Sequence, residues 1–434
     1  MNTSKKILMI CLVTSIQFVM LPRVFADAQS AYTEYIMSLE SLDYKAFKDI
    51  LLNELDEYLR RFPAASNLAD MYLKKAGIFL DNNNLEEAFI AHLQILYLYP
   101  KSEQAIVAKD RLRTLINNES RFKDLRSKTE QILQPRAYGE NAEEAYYLFL
   151  NDLVKLNFKR IDPLIIRSTG RFLKLYPGSD FSHEVLYWRA QLFEKEENYQ
   201  EAVSEYMKLT YMHQGSIHLT ASKLKMATIY GEELKLYQQA ILALEEFMLE
   251  HPEDPQAPQA QLRIGEINDK RKKQYLEAIN AYVAVAQKYP KSVEAVPALF
   301  EAARLYEVRF KEYDQAIRVY SEIVRDYPKD LKAPYAFVET ARIYEKRLKD
   351  PLNAANVYFK VYGSYPESSI APESLYASAE IYEKKLSNLE KAGMYYSMLA
   401  EKYPNHKLAE KSQKRAADIQ KKLTNTSPAS EESN

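Results

Sequence analysis

The six histidines are the residues of this chain best suited to bind a metal ion or to transfer a proton near neutral pH. They are His92, His183, His213, His218, His251 and His406. His213 and His218 lie five positions apart, a spacing that does not put them on one face of a helix. No HExxH sequence is present, so a metal site would need ligands that converge from distant parts of the chain. We therefore expect no metal site.

The patterns that build nucleophilic or phosphate-binding sites are also missing from the sequence. Only 9 of the 434 residues are glycine, and no glycine-rich phosphate loop occurs. No serine has the sequence context of a nucleophile elbow. Paired acids such as Glu245 and Glu246 occupy ordinary helix positions, where carboxylates are solvated. The sequence therefore predicts no catalytic residue and no cofactor, and we expect a protein that is not an enzyme.

The most regular feature of the chain is a Tyr-Pro pair that recurs every 38 residues. It occurs at Tyr289-Pro290, Tyr327-Pro328, Tyr365-Pro366 and Tyr403-Pro404. When each unit is numbered from its proline, small residues recur at positions 6, 14 and 27, and aromatic residues at positions 17, 31 and 38. Units 63–99 and 177–213 match with one residue fewer in the middle. Because proline lacks an N–H group and clashes with the preceding turn, each pair is expected to end a helix.

Each unit predicts two helices, which we name helix A and helix B. Positions 10, 14, 17 and 21 have the spacing of one apolar helix face, and positions 27, 31 and 34 or 35 have the spacing of a second. A polar turn separates the two helices, for example Lys311 to Asp314. A helix pair of this kind cannot bury its apolar face alone, so neighbouring pairs must stack on it. The sequence therefore predicts an all-α solenoid of antiparallel helix pairs.

These units resemble the tetratricopeptide repeat family, whose helix pairs repeat roughly every 34 residues. The shared pattern is a small residue in helix A, a tyrosine three positions later, an alanine and an aromatic residue in helix B, and a final proline. The longer "YPKS" spacing seen here is similar to repeats of bacterial envelope proteins of the outer-membrane assembly lipoprotein and Tol–Pal-associated periplasmic types. The resemblance covers residues 63–99 and 177–403. It implies a right-handed superhelical solenoid that binds other proteins.

The remaining segments complete the predicted organisation of the chain. We predict a signal peptide over residues 1–26, an N-terminal helical arm with degenerate units over 27–176 and a regular array of six units over 177–403. A capping helix over 404–423 and a disordered tail over 424–434 follow. The irregular stretch 100–176 is either a diverged repeat or a bend between two arms.

The first residues of the chain predict export. Two lysines precede an apolar run from Ile7 to Leu21, and Val24 to Ala26 supplies small residues at the usual cleavage positions. The run is shorter than the roughly 20 residues that span a bilayer, so cleavage after Ala26 is favoured over a membrane anchor. Cys11 is the only cysteine, and the mature chain would therefore have no disulfide. These features suggest a bacterial periplasmic protein.

A second face of helix A is the candidate binding surface. Positions 11, 15 and 18 share this face, which is distinct from the core stripe at positions 10, 14 and 17. Position 11 is apolar, position 15 is polar or charged, and position 18 is mostly acidic. If helix A lines the binding groove, as the resemblance implies, the groove would suit a segment with apolar anchors and basic residues. The candidate residues are Tyr187, Glu194, Leu262, Glu266, Asp269, Phe300, Arg304, Glu307, Arg342, Glu345, Tyr376, Glu380 and Glu383.

Two structural alternatives stand beside this interpretation. Position 11 could serve only the packing between units, and position 18 could be only a solvated face. Position 20 is basic, and it could form a track for phosphate or an anionic glycan. Its place near the end of helix A favours a simpler role, in which cations offset the helix dipole and neighbouring acids cancel their charge. The position 20 residues are Arg271, Arg309, Arg347 and Lys385.

These patterns predict an exported, periplasmic scaffold that binds other cell-envelope proteins, and it could reach the outer membrane through them. Basic and acidic residues number 59 and 60, so no nucleic-acid partner is expected, and no membrane span is expected in the mature chain. One alternative is a glycan-binding or polysaccharide-export protein, which would expose most tyrosines on one surface. Another is an enzyme with a site in residues 100–176, which would need a deep pocket with converging acids.

Overall fold

The protein is helical throughout the part of the chain that the structure describes. The computed structural model describes residues 21–42, 44–134, 139 and 141–426, and these ranges contain 21 α-helices and no strand. They divide into two compact units, one that ends at Ser222 and one that starts at Lys223. The predicted all-α class is confirmed. The predicted division after residue 176 stays a prediction.

Ten helices belong to the first compact unit. They are α1 (Leu21–Ser41), α2 (Tyr44–Arg61), α3 (Leu68–Asp81), α4 (Leu85–Leu98), α5 (Glu103–Asn118), α6 (Thr129–Leu133), α7 (Ala142–Leu156), α8 (Asp162–Leu175), α9 (Ser182–Lys195) and α10 (Tyr199–Met212). Short 3-10 segments precede α6 and α8, at Ser120–Lys128 and Lys159–Ile161. The irregular stretch therefore holds a helix pair, α7 and α8, behind a tightly wound connection.

The boundary between the compact units falls within α11, and regular helix pairs follow it. These helices are α11 (Leu219–Thr228), α12 (Tyr237–Glu250), α13 (Ala257–Glu266), α14 (Tyr275–Lys288), α15 (Ala295–Leu305), α16 (Tyr313–Asp326), α17 (Ala333–Arg342), α18 (Pro351–Ser364), α19 (Ala371–Lys384), α20 (Leu389–Lys402) and α21 (Ala409–Thr426). Each of the six predicted units from residue 177 to 403 is one A–B pair. The capping helix α21 continues through Thr426, so the first three residues of the predicted tail are helical.

Small residues lie where the two helices of a pair meet, as the repeat pattern predicts. Ala303 and Ala341 at position 14 are fully buried, and so are Ala316 and Ala354 at position 27. Gly265 replaces alanine at position 14 of one unit, and a Cβ added there would lie 2.5 Å from the ring of Tyr282. The position 31 tyrosine therefore fills the space that the missing methyl group leaves. This close approach gives the repeat its tight core.

The extra residue of the longer units is accommodated at the end of helix A. In four units the last turn is a π-helix, at Ile229–Glu233, Ile267–Lys272, Tyr306–Phe310 and Ile343–Leu348. The carbonyl of Tyr306 accepts a hydrogen bond from the N–H of Glu312 at 3.0 Å. In a shorter unit the carbonyl of Phe79 accepts from the N–H of Asn84 at 2.8 Å. The added residue thus widens one turn from five residues to six while the flanking helices keep their pairing.

A residue in the left-handed conformation ends this widened turn. Lys311 has φ 58°, and Lys273 and Lys349 have φ 59° and 56° at the same position. Left-handed residues commonly stop helices because they redirect the chain. Helix B then starts at Tyr313, so the connection is shorter than the predicted turn from Lys311 to Asp314.

Each Tyr-Pro pair joins one unit to the next. The N–H of Tyr289 donates the last helical hydrogen bond to Val285, and the following proline ends the helix. Tyr403 donates its hydroxyl proton to the carbonyl of Pro366 at 2.7 Å, across the whole length of its unit. This tyrosine therefore contacts the start of its own unit, at the Tyr-Pro pair that joins that unit to the preceding one.

Two predictions fall at the ends of the chain. Residues 1–20 of the predicted signal peptide and residues 427–434 of the predicted tail lie outside the described residues. Helix α1 includes the predicted cleavage position after Ala26. Both the signal peptide and the tail stay predictions.

Candidate functional site

The position 11 side chains form a repeated feature on helix A of the second compact unit. We call this set the helix A row, and each member is partly buried. Its members are Leu224, Leu262, Phe300, Val338 and Tyr376. The ring of Phe300 meets Tyr320 edge to face, with 5.5 Å between ring centroids. The ring of Tyr376 meets Tyr396 in the same way at 5.4 Å. In these two units position 11 therefore packs on position 31 with part of its surface, and the ammonium of Lys411 in the capping helix also lies 5.0 Å from the centroid of the Tyr376 ring.

Tyr187 holds the equivalent position in the first compact unit. Its ring lies 5.9 Å from that of Tyr206, which is the position 31 tyrosine of this shorter unit. It also stacks on His218, with 4.2 Å between centroids and an interplanar angle of 3°. A loop histidine thus covers one face of Tyr187, which distinguishes this unit from the five that follow.

The acidic residues at position 18 are paired with basic residues that come from the next helix pair or from the cap. Asp269 accepts from Arg304 at 2.6 Å, and its side chain is 7% exposed. Glu307 pairs with Arg347 at 2.9 Å. Glu345 pairs with Lys385 at 2.8 Å. These three contacts link successive units, so the acids hold the array together as well as line its surface.

The final acid of this series is enclosed almost as fully as Asp269. Glu383 pairs with Arg415 of the capping helix α21, and its side chain is 8% exposed. It also accepts a hydrogen bond from the hydroxyl of Tyr396 at 3.1 Å. Burial is the main cause that raises the pKa of Tyr396, and the charge of Glu383 adds to it. The expectation that position 18 faces solvent is therefore wrong for Asp269 and Glu383, because both are enclosed at a junction.

Position 20 finds its partners in the preceding unit. Arg347 and Lys385 neutralise Glu307 and Glu345, as described above. The guanidinium of Arg309 lies 4.8 Å from the centroid of the Tyr275 ring, a cation–π contact. These contacts favour the structural interpretation of position 20 over a continuous track for an anionic ligand.

Three of the other charged candidates pair with a residue one helical turn away. Glu266 pairs with Lys270 at 2.7 Å, and Arg342 pairs with Glu339 at 2.8 Å. Glu380 pairs with Lys384, again one helical turn away. Glu194 accepts a hydrogen bond from the hydroxyl of Tyr206 at 3.1 Å. The candidate residues thus combine a partly open apolar row with charges that already have partners, and their assignment to a binding groove stays a prediction.

Three histidines that looked unrelated in the sequence lie near each other in the structure. The ring of His183 is 5.9 Å from His218 and 6.4 Å from His213. Burial lowers the pKa of both His213 and His218, and the nearby His183 adds to the effect on each. The loop after α10 brings them to the start of α9, which spacing along one helix cannot reveal. Across residues 21–42, 44–134, 139 and 141–426, no group of His, Cys, Asp or Glu has metal-binding geometry.

Within the described part of the chain, no helix is both long and apolar enough to cross a membrane. This result includes α1, which starts at Leu21 inside the predicted apolar segment.

Comparison with protein families identifies repeats in the second compact unit. Residues 259–292, 297–330 and 373–406 match the family model of the tetratricopeptide repeat. Each of the three matches contains one Tyr-Pro pair close to its end. No curated protein sequence matches the chain.

Several solved structures are similar to this chain. A tetratricopeptide repeat protein from Parabacteroides merdae has 17% identity and a TM-score of 0.33, over 63% of this chain and 99% of its own. The C-terminal part of a repeat-containing protein from Cytophaga hutchinsonii has 16% identity and a TM-score of 0.36, over 61% and 98%. Yeast Tom70 has 10% identity and a TM-score of 0.28, over 91% and 98%.

Proposed function

Since this chain contains tetratricopeptide repeats, we propose that it is an exported scaffold that binds a segment of another cell-envelope protein along the helix A row. The proposal assigns no catalytic step to the protein. The repeats supply a rigid series of equivalent positions, and the partner contributes side chains that fill the spaces between them.

The observation that carries this proposal is that the helix A row stays partly buried in five consecutive units. A residue needed only for packing would become fully buried, as Ala303 and Ala341 are. Position 11 instead stays partly exposed in every unit, whether it is leucine, valine, phenylalanine or tyrosine. Partly exposed apolar and aromatic side chains on a rigid support are typical anchors of protein interfaces.

The ion pairs beside the row define the chemistry of the partner. Glu307 and Glu345 already have basic partners, so a bound segment would gain little from placing a further cation beside them. We therefore propose that the partner segment is recognised mainly through apolar side chains. Basic residues in that segment would affect the rate of association more than the affinity.

Export and an envelope location are proposed from the first 26 residues alone. The paired lysines, the apolar run and the small residues before Asp27 support secretion across a membrane. The partner would accordingly be a protein of the same compartment.

Tyrosine exposure does not favour the glycan-binding alternative. Among the described residues, the tyrosines that stand out as exposed are Tyr35, Tyr211 and Tyr335, and they belong to different helices. The repeated tyrosines at position 31 are buried in the core instead. An enzyme in residues 100–176 also gains no support, because the acids around the cavity beside α8, Asp56 and Glu87, pair with Lys75 and Arg167.

Site-specific crosslinking in the cells that export the protein tests the proposal. A photoreactive phenylalanine analogue would replace Phe300 on helix A of one unit, and in a matched strain Ser321 on the exposed surface of its helix B. We expect a crosslinked partner from Phe300 and none from Ser321. Crosslinks to the same partner from Ser321 alone would show that the outer surface binds it, and the proposal would then be wrong.

A further inference from the structure

Among the described residues of the first compact unit, one arginine has no carboxylate of its own as a partner. Arg171 lies on α8 and is partly buried. Among the described residues, the carboxylate whose charge acts on Arg171 is Asp56, which already pairs with Lys75. Burial lowers the pKa of Arg171, but its interactions with Tyr72, Tyr146, Asp56 and Tyr99 raise that pKa overall. Because partly buried cations usually pair with an anion, this arginine needs a functional explanation.

Arg171 lines a polar cavity of about 200 Å³ between α2, α3, α4, α7 and α8. Two other cations face this cavity, but each already has a carboxylate. Lys75 pairs with Asp56, and Arg167 pairs with Glu87 at 3.3 Å. The charged side chains of the cavity therefore leave one net positive charge, which belongs to Arg171.

The entrance of the cavity is polar and its interior is more enclosed. The side chains of Asp56 and Arg167 are 50% and 68% exposed, whereas that of Lys75 is 15% exposed. Burial lowers the pKa of Lys75, and the charge of Asp56 opposes that shift. The charges of Arg171 and Arg167 also lower the pKa of Lys75, and the same positive charges would favour an anion bound beside Arg171.

A second cavity of about 270 Å³ shares Arg171 and Tyr146 with the first. Its walls carry the rings of Tyr72, Tyr99, Tyr146 and Tyr176 together with leucines such as Leu68. Burial raises the pKa of Tyr99 and Tyr146, so both hydroxyls stay protonated at neutral pH. Arg171 thus lies between a polar cavity and an aromatic one.

We propose that these two cavities form a binding site for a small organic anion, whose oxyanion group pairs with Arg171 and whose apolar body lies among the tyrosines. The planar guanidinium can bind two oxygens of a carboxylate at once. The volume of the polar cavity is enough for one such group and several waters, since a water occupies about 30 Å³. The aromatic cavity has the mixed apolar and hydroxyl lining that is usual for small-molecule sites.

This site is separate from the helix A row, which belongs to the second compact unit. A ligand at Arg171 would contact α3, α4, α7 and α8, and would therefore join the irregular helix pair to the first regular repeat. Binding of such a ligand can be measured without knowing which protein binds to the helix A row.

Calorimetric titration of the full mature chain tests the site. The probe is phenylacetate, with 2-phenylethanol as the neutral compound of similar shape and inorganic phosphate as the anion without an apolar body. We expect phenylacetate to bind and the alcohol to bind at least tenfold more weakly. Equal binding of phenylacetate and the alcohol, or no binding of phenylacetate, would overturn the proposal. Phosphate that binds as tightly as phenylacetate would also overturn it, because the aromatic cavity would then contribute nothing.

Three variants test whether the binding is at Arg171. Arg171→Gln should weaken phenylacetate binding at least tenfold, whereas Arg111→Gln, which changes an exposed arginine on α5, should leave it unchanged. Arg171→Lys keeps the charge and serves if the glutamine variant does not fold. It should weaken binding because an ammonium lacks the two-pronged geometry of a guanidinium. Full affinity in a folded Arg171→Gln or Arg171→Lys protein would contradict the assignment.

Discussion

Single residues at positions 14 and 27 determine how closely the two helices of each pair approach. Ala341 is fully buried, and Gly265 shows that a neighbouring ring can take the place of even one methyl group. At Gly265 even an added Cβ would lie only 2.5 Å from the ring of Tyr282. The identity of these residues was predictable from the sequence, because only a small side chain recurs there at every unit.

Replacing Ala341 by glutamate tests this packing. A carboxylate at this position would be buried without a cation, so we expect Ala341→Glu to destabilise the protein by several kcal/mol. Ser321→Glu adds the same group to the exposed surface of α16 and should change stability little. Thermal unfolding followed by circular dichroism measures both. If Ala341→Glu has the same melting temperature as Ser321→Glu, position 14 does not lie at a buried helix contact and our numbering of the repeat is wrong.

Helices of successive units are joined by ion pairs whose two members differ in exposure. Asp269 is buried, and Arg304 is partly exposed and has Glu301 as a second partner at 2.7 Å. Removing the arginine would leave a buried carboxylate without its cation, whereas neutralising the aspartate would leave an arginine that keeps a partner. The two changes therefore should not have equal cost.

We expect Arg304→Met to destabilise the protein by about 1–3 kcal/mol, which is the usual penalty for a buried charged group that loses its partner. Asp269→Asn should cost less. The midpoints of urea unfolding compare the two variants with the unchanged protein. If Asp269→Asn proves the more harmful change, the junction depends on the carboxylate itself and our account of its burial is wrong.

Because the position 31 tyrosines of helix B are buried, we expect the protein to lose stability in alkali. Burial raises the pKa of Tyr358 to about 12, and the charge of Glu345 adds to it. In the unfolded chain a tyrosine titrates near pH 10, so at higher pH the unfolded state loses its proton first. Stability is therefore complete below about pH 10 and falls as the pH rises toward about 12.

Urea unfolding at several pH values, together with the ultraviolet absorbance of tyrosinate, measures this dependence. Tyr358→Phe has no proton to lose and should show a smaller fall than the unchanged protein. A folded protein whose repeat tyrosines all titrate near pH 10 would contradict the burial of position 31.

The helix pairs and their order were predictable from the spacing of small and aromatic residues, but the turn between them was not. The sequence shows that one residue is inserted between positions 17 and 27. It does not show whether this residue belongs to helix A or to the loop that follows. The structure places it in a π-helix that ends at a left-handed lysine such as Lys311. The ion pairs could have been found, because an acid at position 18 and a base at position 20 of the next unit recur 40 residues apart in Glu307–Arg347 and Glu345–Lys385.

For the whole molecule, some features depend on contacts that no spacing rule captures. The surroundings of Arg171 are built by the irregular pair α7–α8, and the three histidines meet through a loop. In neither place does the repeat pattern predict which residues are neighbours. The candidate row on helix A was predicted at every unit, since its periodicity is that of the repeat itself. The sequence also predicted that the neighbouring positions are charged, but we did not predict that these charges form ion pairs between units.

The proposed export of the chain makes a prediction about its mature form. Intact-mass measurement of protein recovered from outside the cytoplasm should show Asp27 as the first residue. Ala26→Leu should slow or block this processing, because the small side chain at the cleavage position is lost. Exported protein that keeps residues 1–26 would contradict the predicted signal peptide.

The central claim is that the helix A row binds a protein segment through its apolar side chains. The most direct test is the affinity of the crosslinked partner, once it is purified, for variants of this row. Phe300→Ala and Tyr376→Ala should each weaken binding by more than about 1 kcal/mol, as the loss of an interface anchor does. Leu331→Ala, which shortens a loop side chain that is 90% exposed, should bind normally. If the row variants keep their helical content and their full affinity, the helix A row is not the binding site.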